Sequence, residues 1–594
     1  MHLLNLSSAL LLLCTTSVRS QSTQLTDCGF LGPVYPTPPH IADTKAIREA
    51  KDAFTRLMDS AMRNGSTAWG PVDAANSSIS FAVFSTQSDQ LLSEYHHLGS
   101  SPGAKAHLTG GKLDGDTVYR LGSVTKLLSV YTFLAKVGPK YWSEPVTNHV
   151  PELVARSVKN SVLDINWSEV TLGSLAGQIS GIPHDYALTD LSAIPGITEI
   201  GLPDLPPSEV TTCGAANQEP CSGEEFFRLL LQQHPVAPVS QGPNYSNEAY
   251  QLLSLAYQNI TGESFADAFR TGIVEPLKLK RTFYHPPTSD INTVRVDPKG
   301  ANTFEIDIGG LDPAGGAWAS LRDFASLGRS MLNSTLLPAQ VTRDWLKPNS
   351  HSSNLYSSVG KPWEILRMAV PVSPDSTTTR FVDLYTKSGG LGGYNAWLFL
   401  SPDHNIGIAA LVASLTEADN AIVASESGMP VLVSLAELAL ATWIPAAEAA
   451  ARESAASNLV GSFKSEDGLN SSISLDLVPD HQGICITNLI YNGTDFLETL
   501  GSVFGYAAAS LQYTNLHDKP SGQLSFRAVW QSLKHPISVT SVIHPECSLN
   551  WSDLDNLKYG DIGLDQVIIT VKADGKAVGV EMPGLRTSFS QRVK

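Results

Sequence analysis

The sequence predicts an α+β protein that is followed by a small all-β domain. The first part of the chain alternates amphipathic helical patterns with short apolar runs typical of strands. From residue 459 onward, short apolar runs are separated by turn residues, and no long helical pattern interrupts them. The chain has 594 residues, which is too many for one ordinary hydrophobic core, so two or three domains are expected.

Residues 1–20 have the pattern of a secretory signal peptide. Their apolar centre is Leu10–Leu13, and Val18 and Ser20 supply small residues at the cleavage site. The apolar run is too short to span a bilayer comfortably, and an uncleaved membrane anchor is the alternative to a signal peptide. We therefore predict a secreted, extracellular protein without stable membrane association.

Glycosylation sequons and cysteines agree with secretion. Cys213 and Cys221 lie in a polar loop that a local disulfide can close, and Cys485 can pair with Cys547, which leaves Cys28 over. The alternative is that all of these thiols are free and buried. The sequons, at which N-linked glycans are expected, begin at Asn64, Asn76, Asn166, Asn259, Asn333, Asn470, Asn492 and Asn550.

The first large domain is predicted to span residues 21–445. It opens with an amphipathic helix, whose residues Ile47, Phe54 and Met58 share one face. A long surface insertion rich in proline, glycine and serine is expected over residues 190–225. The strands are predicted at 78–84, 91–95, 381–386, 395–400 and 406–413, and the helices at 46–63, 225–233, 247–259 and 431–443.

The composition changes after this domain. Residues 446–458 are rich in alanine and glutamate and are predicted to form a linker. Residues 459–594 contain the turn-separated apolar runs and are predicted to form a β-sandwich or a β-barrel.

Charge and motif content exclude several classes of protein. The net charge of −17 argues against a nucleic-acid partner. No phosphate-binding or dinucleotide-binding glycine motif occurs, and His96 and His97 lack the spacing of metal ligands. We therefore expect neither a metal nor a cofactor. The G-x-S-x-G match at 99–103 is not flanked by a strand and a helix, which argues against an α/β-hydrolase.

The most informative segment is Ser123-Val-Thr-Lys126, at the start of an apolar helical pattern. Residues i and i+3 lie on one face of a helix, so a hydroxyl and an amine are brought together there. A lysine whose charge is suppressed by burial can act as the base that activates a serine. Ser358 and Lys361 have the same spacing, but Gly360 and Pro362 prevent a helix.

Two further motifs follow in order. Tyr245-Ser-Asn247 stands at a predicted helix start, and Lys387-Ser388-Gly389-Gly390 stands at the end of a predicted strand. Y-x-N also occurs at Tyr257 and Tyr513, one at a helix end and one in the β-rich tail. Because the three motifs occur in one order and each in a suitable context, we interpret them as one site.

S-x-x-K, Y-x-N and K-[ST]-G in this order resemble the serine β-lactamase and penicillin-binding-protein superfamily, in the branch with tyrosine in the second motif. Flanking segments agree, among them Ser180-Gly-Ile-Pro183 and Gly315–Phe324. The resemblance covers residues 45–445 and implies an antiparallel sheet with helices on both sides. The tail resembles the extra C-terminal domain of secreted fungal β-lactamase-like proteins.

The resemblance implies a role for each motif residue. Ser123 would attack a carbonyl carbon, and Lys126 and Tyr245 would share the proton, because two nearby cations lower the pKa of the phenol. Asn247 would hold Lys126. Lys387 would bind a substrate carboxylate or steer the tyrosine proton.

The K-S-G segment would also contact the substrate. The backbone N–H groups of Ser123 and Gly390 would form an oxyanion hole, and Ser388 and Gly389 would line the substrate site. The insertion near Cys213 would shape specificity at the rim. Asn244 also begins a sequon, but its place in the site predicts that it stays without a glycan.

The expected function is hydrolysis of an ester or amide through an acyl-enzyme on Ser123. The expected substrate is a small-molecule or peptide-like acyl compound. One alternative keeps the site but passes the acyl group to an alcohol or amine, as a transacylase or cyclising enzyme of secondary metabolism. A second alternative is a catalytically idle binding protein on the same fold.

Overall fold

The computed structural model describes residues 29–593 except 107, 155–157, 189, 216–217, 297–302, 416–420, 467, 506–507 and 532–549. These residues form two compact units. The first contains Pro36–Met368 and Phe381–Ser454. The second contains Ala369–Arg380, Ala455–Lys594 and the described residues before Pro36. The predicted signal peptide, Cys28 and Cys547 lie outside the described residues.

The first unit is built on an eight-stranded sheet, whose strands are β1 Ser77–Ser85, β2 Ser93–His97, β3 Ser350–His351, β4 Ser357–Val359, β5 Glu364–Pro371, β6 Thr379–Leu391, β7 Tyr394–Ser401 and β8 Ile406–Ser414. Their order in the sheet is β2-β1-β8-β7-β6-β5-β4-β3. The pairings β2·β1, β1·β8, β8·β7, β7·β6, β5·β4 and β4·β3 are antiparallel.

Helices cover both faces of this sheet. Successive side chains of a strand point to opposite faces, so Phe81 and Phe84 of β1 face different layers. The ring centres of Phe81 and Phe54 are 6.4 Å apart, and those of Phe54 and Trp443 are 5.9 Å apart. Phe84 packs on the other face, close to Gly328. Every residue of β1 is buried as a result, and the expected layering is confirmed.

The predicted helices are present with different bounds, and further helices lie between and after them. They are α1 Lys45–Asn64, α2 Pro102–Ala106, α3 Thr125–Val137, α4 Leu172–Ala176, α5 Gly223–Leu230, α6 Glu248–Thr261, α7 Phe265–Phe269, α8 Asp312–Gly315, α9 Leu321–Leu332, α10 Ala339–Trp345, α11 Ala421–Asn458 and α12 Phe496–Phe504. Helix α1 buries Ile47, Phe54 and Met58, as its periodicity predicts. Helix α5 ends at Leu230, before the predicted Gln233.

A sheet of three short strands supports the segment that carries Ser123. Val118–Arg120 pairs with Trp318–Ser320, which also pairs with Thr282–Phe283. The buried guanidinium of Arg120 donates hydrogen bonds to three backbone carbonyl groups of residues 303–306. The chain therefore enters the Ser123 segment from a fixed strand.

The second unit contains a closed antiparallel β-barrel, one of the two predicted alternatives. Its sheet order is β10-β9-β17-β16-β15-β14-β13-β11-β12, and β10 also pairs with β11, which closes eight strands into a ring. The strands are β9 Gly461–Ser465, β10 Ser472–Asp476, β11 Ile484–Tyr491, β12 Thr494–Asp495, β13 Ala508–Asp518, β14 Gln523–Gln531, β15 Gln566–Val571, β16 Ala577–Met582 and β17 Thr587–Val593.

Helix α11 is much longer than the predicted helix 431–443. It spans 38 residues and contains both Pro430 and Pro445, so the predicted linker 446–458 is its last part. Among the described residues, the portion Gly428–Asn458 is the one helix long and apolar enough to cross a membrane, by length and composition alone. More than half of its apolar window (56%) is buried within the protein.

The insertion over residues 190–225 contains one disulfide bond. Cys213 and Cys221 are joined, with their Cα atoms 5.0 Å apart, which confirms the predicted local bridge. Gly214 lies against Cys221, Tyr186 and Ala187. The bridge therefore anchors the insertion next to the segment that follows Pro183.

Candidate active site

Ser123 lies in a tight turn that connects a strand to a buried helix. The turn Gly122–Val124 is a 3₁₀ segment, and α3 begins directly after it. Gly122 has a φ of +53°, a conformation that glycine adopts without strain. Ser123 remains partly exposed, whereas the next ten residues are buried. The segment thus presents one hydroxyl from an otherwise buried element.

The amine of Lys126 is buried and directed at Ser123. Its Nζ lies 3.0 Å from Ser123 Oγ, 2.7 Å from Asn247 Oδ1 and 2.9 Å from the Ala314 carbonyl oxygen. In the neutral form, the amine has two N–H groups for the two carbonyl oxygens, and its lone pair is left for the serine hydroxyl. This is the geometry that a lysine base requires.

Tyr245 lies between the two lysines of the motifs. The Lys126 Nζ is 4.7 Å from the centre of the Tyr245 ring, and the Lys387 Nζ is 5.5 Å from it. The His184 ring stacks on Tyr245 with the ring centres 5.2 Å apart. Asn247 is fixed by a hydrogen bond from its backbone N–H to the His184 carbonyl oxygen.

The surroundings lower the pKa values of the Lys126 amine and the Tyr245 phenol, which favours the deprotonated form of each group. Burial lowers the pKa of the Lys126 amine, and the positive charge of Lys387 acts in the same direction. Burial alone would raise the pKa of the Tyr245 phenol. The charges of Lys126 and Lys387, with hydrogen bonds to Lys126 and Ser123, outweigh burial and hold the pKa of Tyr245 below its usual value.

Strand β6 carries the K-S-G segment at its C-terminal end, as predicted, and places it against the serine turn. A Cβ added to Gly389 would lie 2.2 Å from the Leu121 carbonyl oxygen and 2.8 Å from the Ser123 backbone nitrogen. A Cβ on Gly122 would lie within 2.9 Å of the Gly390 backbone. Gly389 of β6 and Gly122 of the turn therefore permit the approach that brings Gly390 next to the Ser123 turn.

Sequence reasoning missed three side chains of this site. Asp185 accepts a hydrogen bond from Asn247 Nδ2 at 2.9 Å, and His184 stacks on Tyr245. Both directly follow the Ser180–Pro183 segment, which was a usable signal. Glu364 of β5 binds Lys387 and Ser388. Nothing in its local sequence distinguishes it.

A small apolar pocket opens beside Ser123. Its volume is about 80 Å³, and its walls include Ser123, Asn247 and Gly390. The remaining lining residues are glycine, alanine or aliphatic, namely Gly122, Leu188, Ile308, Leu311, Ala314, Gly315 and Leu391. The pocket suits a compact apolar group bound next to the hydroxyl.

The competing motifs lie elsewhere. Ser358 belongs to β4 and contacts His351, while Lys361 donates to Asn349. The Tyr257 hydroxyl donates to Glu263. Across the described residues, no group of three or more His, Cys, Asp and Glu side chains is arranged to hold a metal ion.

The first unit thus combines a sheet covered by helices on both faces with a Ser–Lys pair, a tyrosine and a K-S-G strand, the features on which the resemblance to the β-lactamase superfamily was based. The profile of the β-lactamase family matches residues 81–427. A second profile, described as the C-terminal domain of β-lactamase-like proteins, matches residues 451–593. The chain belongs to the β-lactamase family.

Similar proteins include both fungal and bacterial members. A β-lactamase-like protein of Arthroderma benhamiae is 28% identical over 98% of this chain and 99% of its own length. A probable hydrolase of Phoma sp., M10, is 25% identical over 71% of this chain and 68% of its own. The D-alanyl-D-alanine-carboxypeptidase/endopeptidase AmpH of Escherichia coli is 24% identical over 50% of this chain and 71% of its own.

Proposed function

We propose that this protein is a secreted serine hydrolase that cleaves an ester or an amide through an acyl-enzyme on Ser123. The observation that carries the proposal is the buried Lys126 amine, which lies 3.0 Å from Ser123 Oγ and is hydrogen-bonded to the carbonyl oxygens of Asn247 and Ala314. The position of Tyr245 between two cations supports it, because a phenol with a lowered pKa can take up and return a proton.

Acylation would proceed by attack of the Ser123 oxygen on the substrate carbonyl carbon. The hydroxyl proton passes to the Lys126–Tyr245 pair as the carbon–oxygen bond forms. Negative charge on the carbonyl oxygen is stabilised by the backbone N–H groups of Ser123 and Gly390. The bond to the leaving group then breaks, and the leaving group receives the proton.

Deacylation would reverse these roles with water as the nucleophile. The Lys126–Tyr245 pair takes a proton from water as the water oxygen attacks the acyl carbon. The bond between the acyl carbon and Ser123 Oγ then breaks, the carboxylic acid is released, and the proton returns to Ser123 Oγ. The small pocket lined by Leu188, Ile308 and Leu311 would hold the apolar part of the acyl group. Product release restores the free serine.

The proposal is tested by intact-mass spectrometry of the purified, deglycosylated protein. The protein is treated with a fluorophosphonate, a penicillin, a cephalosporin and p-nitrophenyl esters. We expect one adduct per chain on the Ser123 peptide. A fluorophosphonate adduct elsewhere, or none with any reagent, would contradict the acyl-enzyme and favour an idle binding protein.

The fate of the acyl group separates hydrolysis from transfer. Turnover of a p-nitrophenyl ester is followed with and without added alcohols and amines as competing nucleophiles. A hydrolase releases free acid as its main product in each case. If the acyl group instead appears mainly on the added nucleophile, the protein is a transacylase.

Secretion is part of the proposal and has separate support. The Cys213–Cys221 bridge is of a kind that persists in oxidising compartments. Asn244 Nδ2, the atom that would carry a glycan at that sequon, donates to the Ile182 carbonyl oxygen. We expect chains recovered from the medium of a eukaryotic host to begin after residue 20 and to lose mass with a glycosidase, while Asn244 stays unmodified.

The rate should depend on pH through the Lys126–Tyr245 pair. Catalysis needs the deprotonated base, and the pKa values of both groups are lowered. We therefore expect kcat/KM to rise with pH and to level off below about pH 10, the usual pKa of a tyrosine. The measurement is kcat/KM for a neutral ester, determined at intervals of about half a pH unit from about pH 5 to about pH 10.

The Lys387→Met variant tests the origin of this dependence. Lys387 lowers the pKa values of both Lys126 and Tyr245, so its removal should move the rising limb to higher pH. Lys361→Met is the matched control, because Lys361 donates to Asn349 away from the site. If the rising part of the pH profile is unchanged in Lys387→Met, Lys387 does not lower the pKa values of Lys126 and Tyr245.

Gly389→Ala is expected to lower kcat by about a hundredfold, which is the effect of losing one oxyanion-hole donor. The added methyl group would meet backbone atoms of Leu121 and Ser123 and push β6 away from the serine turn. Gly223→Ala is the control, since a Cβ there has no atom within 4 Å. Wild-type turnover by a folded Gly389→Ala protein would show that the close approach is not needed.

A further inference from the structure

The carboxylate of Glu364 is hydrogen-bonded to the K-S-G segment. Its Oε1 accepts hydrogen bonds from Lys387 Nζ at 2.5 Å and from Ser388 Oγ at 3.1 Å. Its Oε2 accepts from the Ser388 backbone N–H at 2.7 Å. The charge and the hydroxyl with which this segment would bind a substrate carboxylate are thus already engaged by a carboxylate of the protein.

The relative exposure of the two partners decides what a ligand meets. The Lys387 side chain is 3% exposed, whereas that of Glu364 is 33% exposed. An incoming molecule therefore approaches the carboxylate, and the ammonium lies beneath it. Burial alone would lower the pKa of Lys387. The negative charges of Glu364 and Tyr245, with the hydrogen bond to Glu364, outweigh burial and raise this pKa, so the lysine stays charged and paired with Glu364.

A carboxylate on the substrate would be opposed by this arrangement. To reach Lys387 it must displace Glu364 from three hydrogen bonds, and like charges placed side by side are strongly unfavourable. Asp185, on the opposite side of Asn247, adds a second acidic side chain to the site. The net charge of −17 gives the approach of an anion no compensating attraction.

We infer that this enzyme acts on uncharged esters or amides and selects against substrates that direct a carboxylate at the K-S-G segment. The inference rests on the proposed acyl-enzyme function and narrows its substrate class. It replaces the expectation that Lys387 binds a substrate carboxylate. The role left to Lys387 is electrostatic, through Tyr245.

The test is a matched pair of esters that differ only in charge. One is 4-(butanoyloxy)benzamide and the other is 4-(butanoyloxy)benzoate, which share the acyl group and the shape of the leaving group; the 3-substituted pair samples a second direction. We expect the wild-type protein to favour the benzamide by about tenfold or more in kcat/KM, relative to the uncatalysed rates. This comparison needs no variant.

Glu364→Gln exposes the lysine charge while keeping the shape of the side chain. We expect the benzoate-to-benzamide ratio of kcat/KM to rise by about tenfold. Glu263→Gln is the matched control, because Glu263 pairs with Lys136 at similar exposure (28%) away from the site. That variant should leave the ratio at its wild-type value.

Three results would overturn the inference. Equal or faster turnover of the benzoate by the wild-type protein would do so, and so would an unchanged ratio in a folded Glu364→Gln variant. In both cases the acyl-enzyme stands and the inference alone fails. Turnover of neither ester, with no adduct on Ser123, would overturn the proposed function and this inference with it.

Discussion

Replacing Ser123 with alanine is expected to abolish ester turnover, with a loss of about a thousandfold or more in kcat. Ser123 supplies the aliphatic hydroxyl in contact with the Lys126 amine, whose other partners are two carbonyl oxygens and the Tyr245 phenol. The variant should fold normally, because Ser123 is partly exposed and a small change there alters the free energy of unfolding by less than about 1 kcal/mol. Steady-state kinetics and thermal denaturation measure the two effects separately.

Ser358→Ala is the natural control for this result. Ser358 has the same S-x-x-K spacing, but it lies on β4 and its hydroxyl contacts His351 of β3. The control should retain wild-type kcat and wild-type labelling by the fluorophosphonate. Substantial turnover by the Ser123→Ala protein would remove Ser123 from the mechanism.

Tyr245→Phe is expected to lower kcat by about a hundredfold or more, the typical contribution of a positioned acid or base. The ring and its stacking with His184 are retained, so the loss reports on the hydroxyl alone. Acylation and deacylation both need this group in the proposed mechanism. Pre-steady-state release of p-nitrophenol followed by steady-state turnover distinguishes the two steps.

Tyr257→Phe provides the matched comparison. Tyr257 also stands in a Y-x-N sequence, and its hydroxyl donates to Glu263 at 2.7 Å, away from Ser123. Loss of that bond should cost about 1 kcal/mol of stability and leave kcat unchanged. If both phenylalanine variants lose activity equally, the assignment of Tyr245 to the Lys126–Tyr245 base is wrong.

Much of the site could be predicted because its chemistry is local in the sequence. The Ser123–Lys126 pair is three residues apart in a helical pattern, and the context of Tyr245 and Lys387 separates them from chance matches. The strands β7 and β8 were predictable for the same reason, since a short turn joins two apolar runs. The geometry places Ser123, Lys126, Tyr245, Asn247 and Lys387 together, in agreement with the order of the motifs.

The rest of the site depends on contacts between distant segments. Glu364 stands 23 residues before Lys387, and only the neighbouring positions of β5 and β6 in the sheet bring them together. The linker prediction failed for a different reason. Alanine and glutamate are strong helix formers, and their propensity carries α11 past Pro445 to Asn458.

The ring closure of the barrel has a consequence for the order of folding. Strand β9, near the start of the domain, pairs with β17, so that Ser462 lies opposite Val593. These partners are far apart in sequence, and pairings of this kind form slowly because a long loop must close first. During synthesis, the barrel is therefore expected to stay open until β17 has left the ribosome, and β9 and β16 are its two uncovered edges until then.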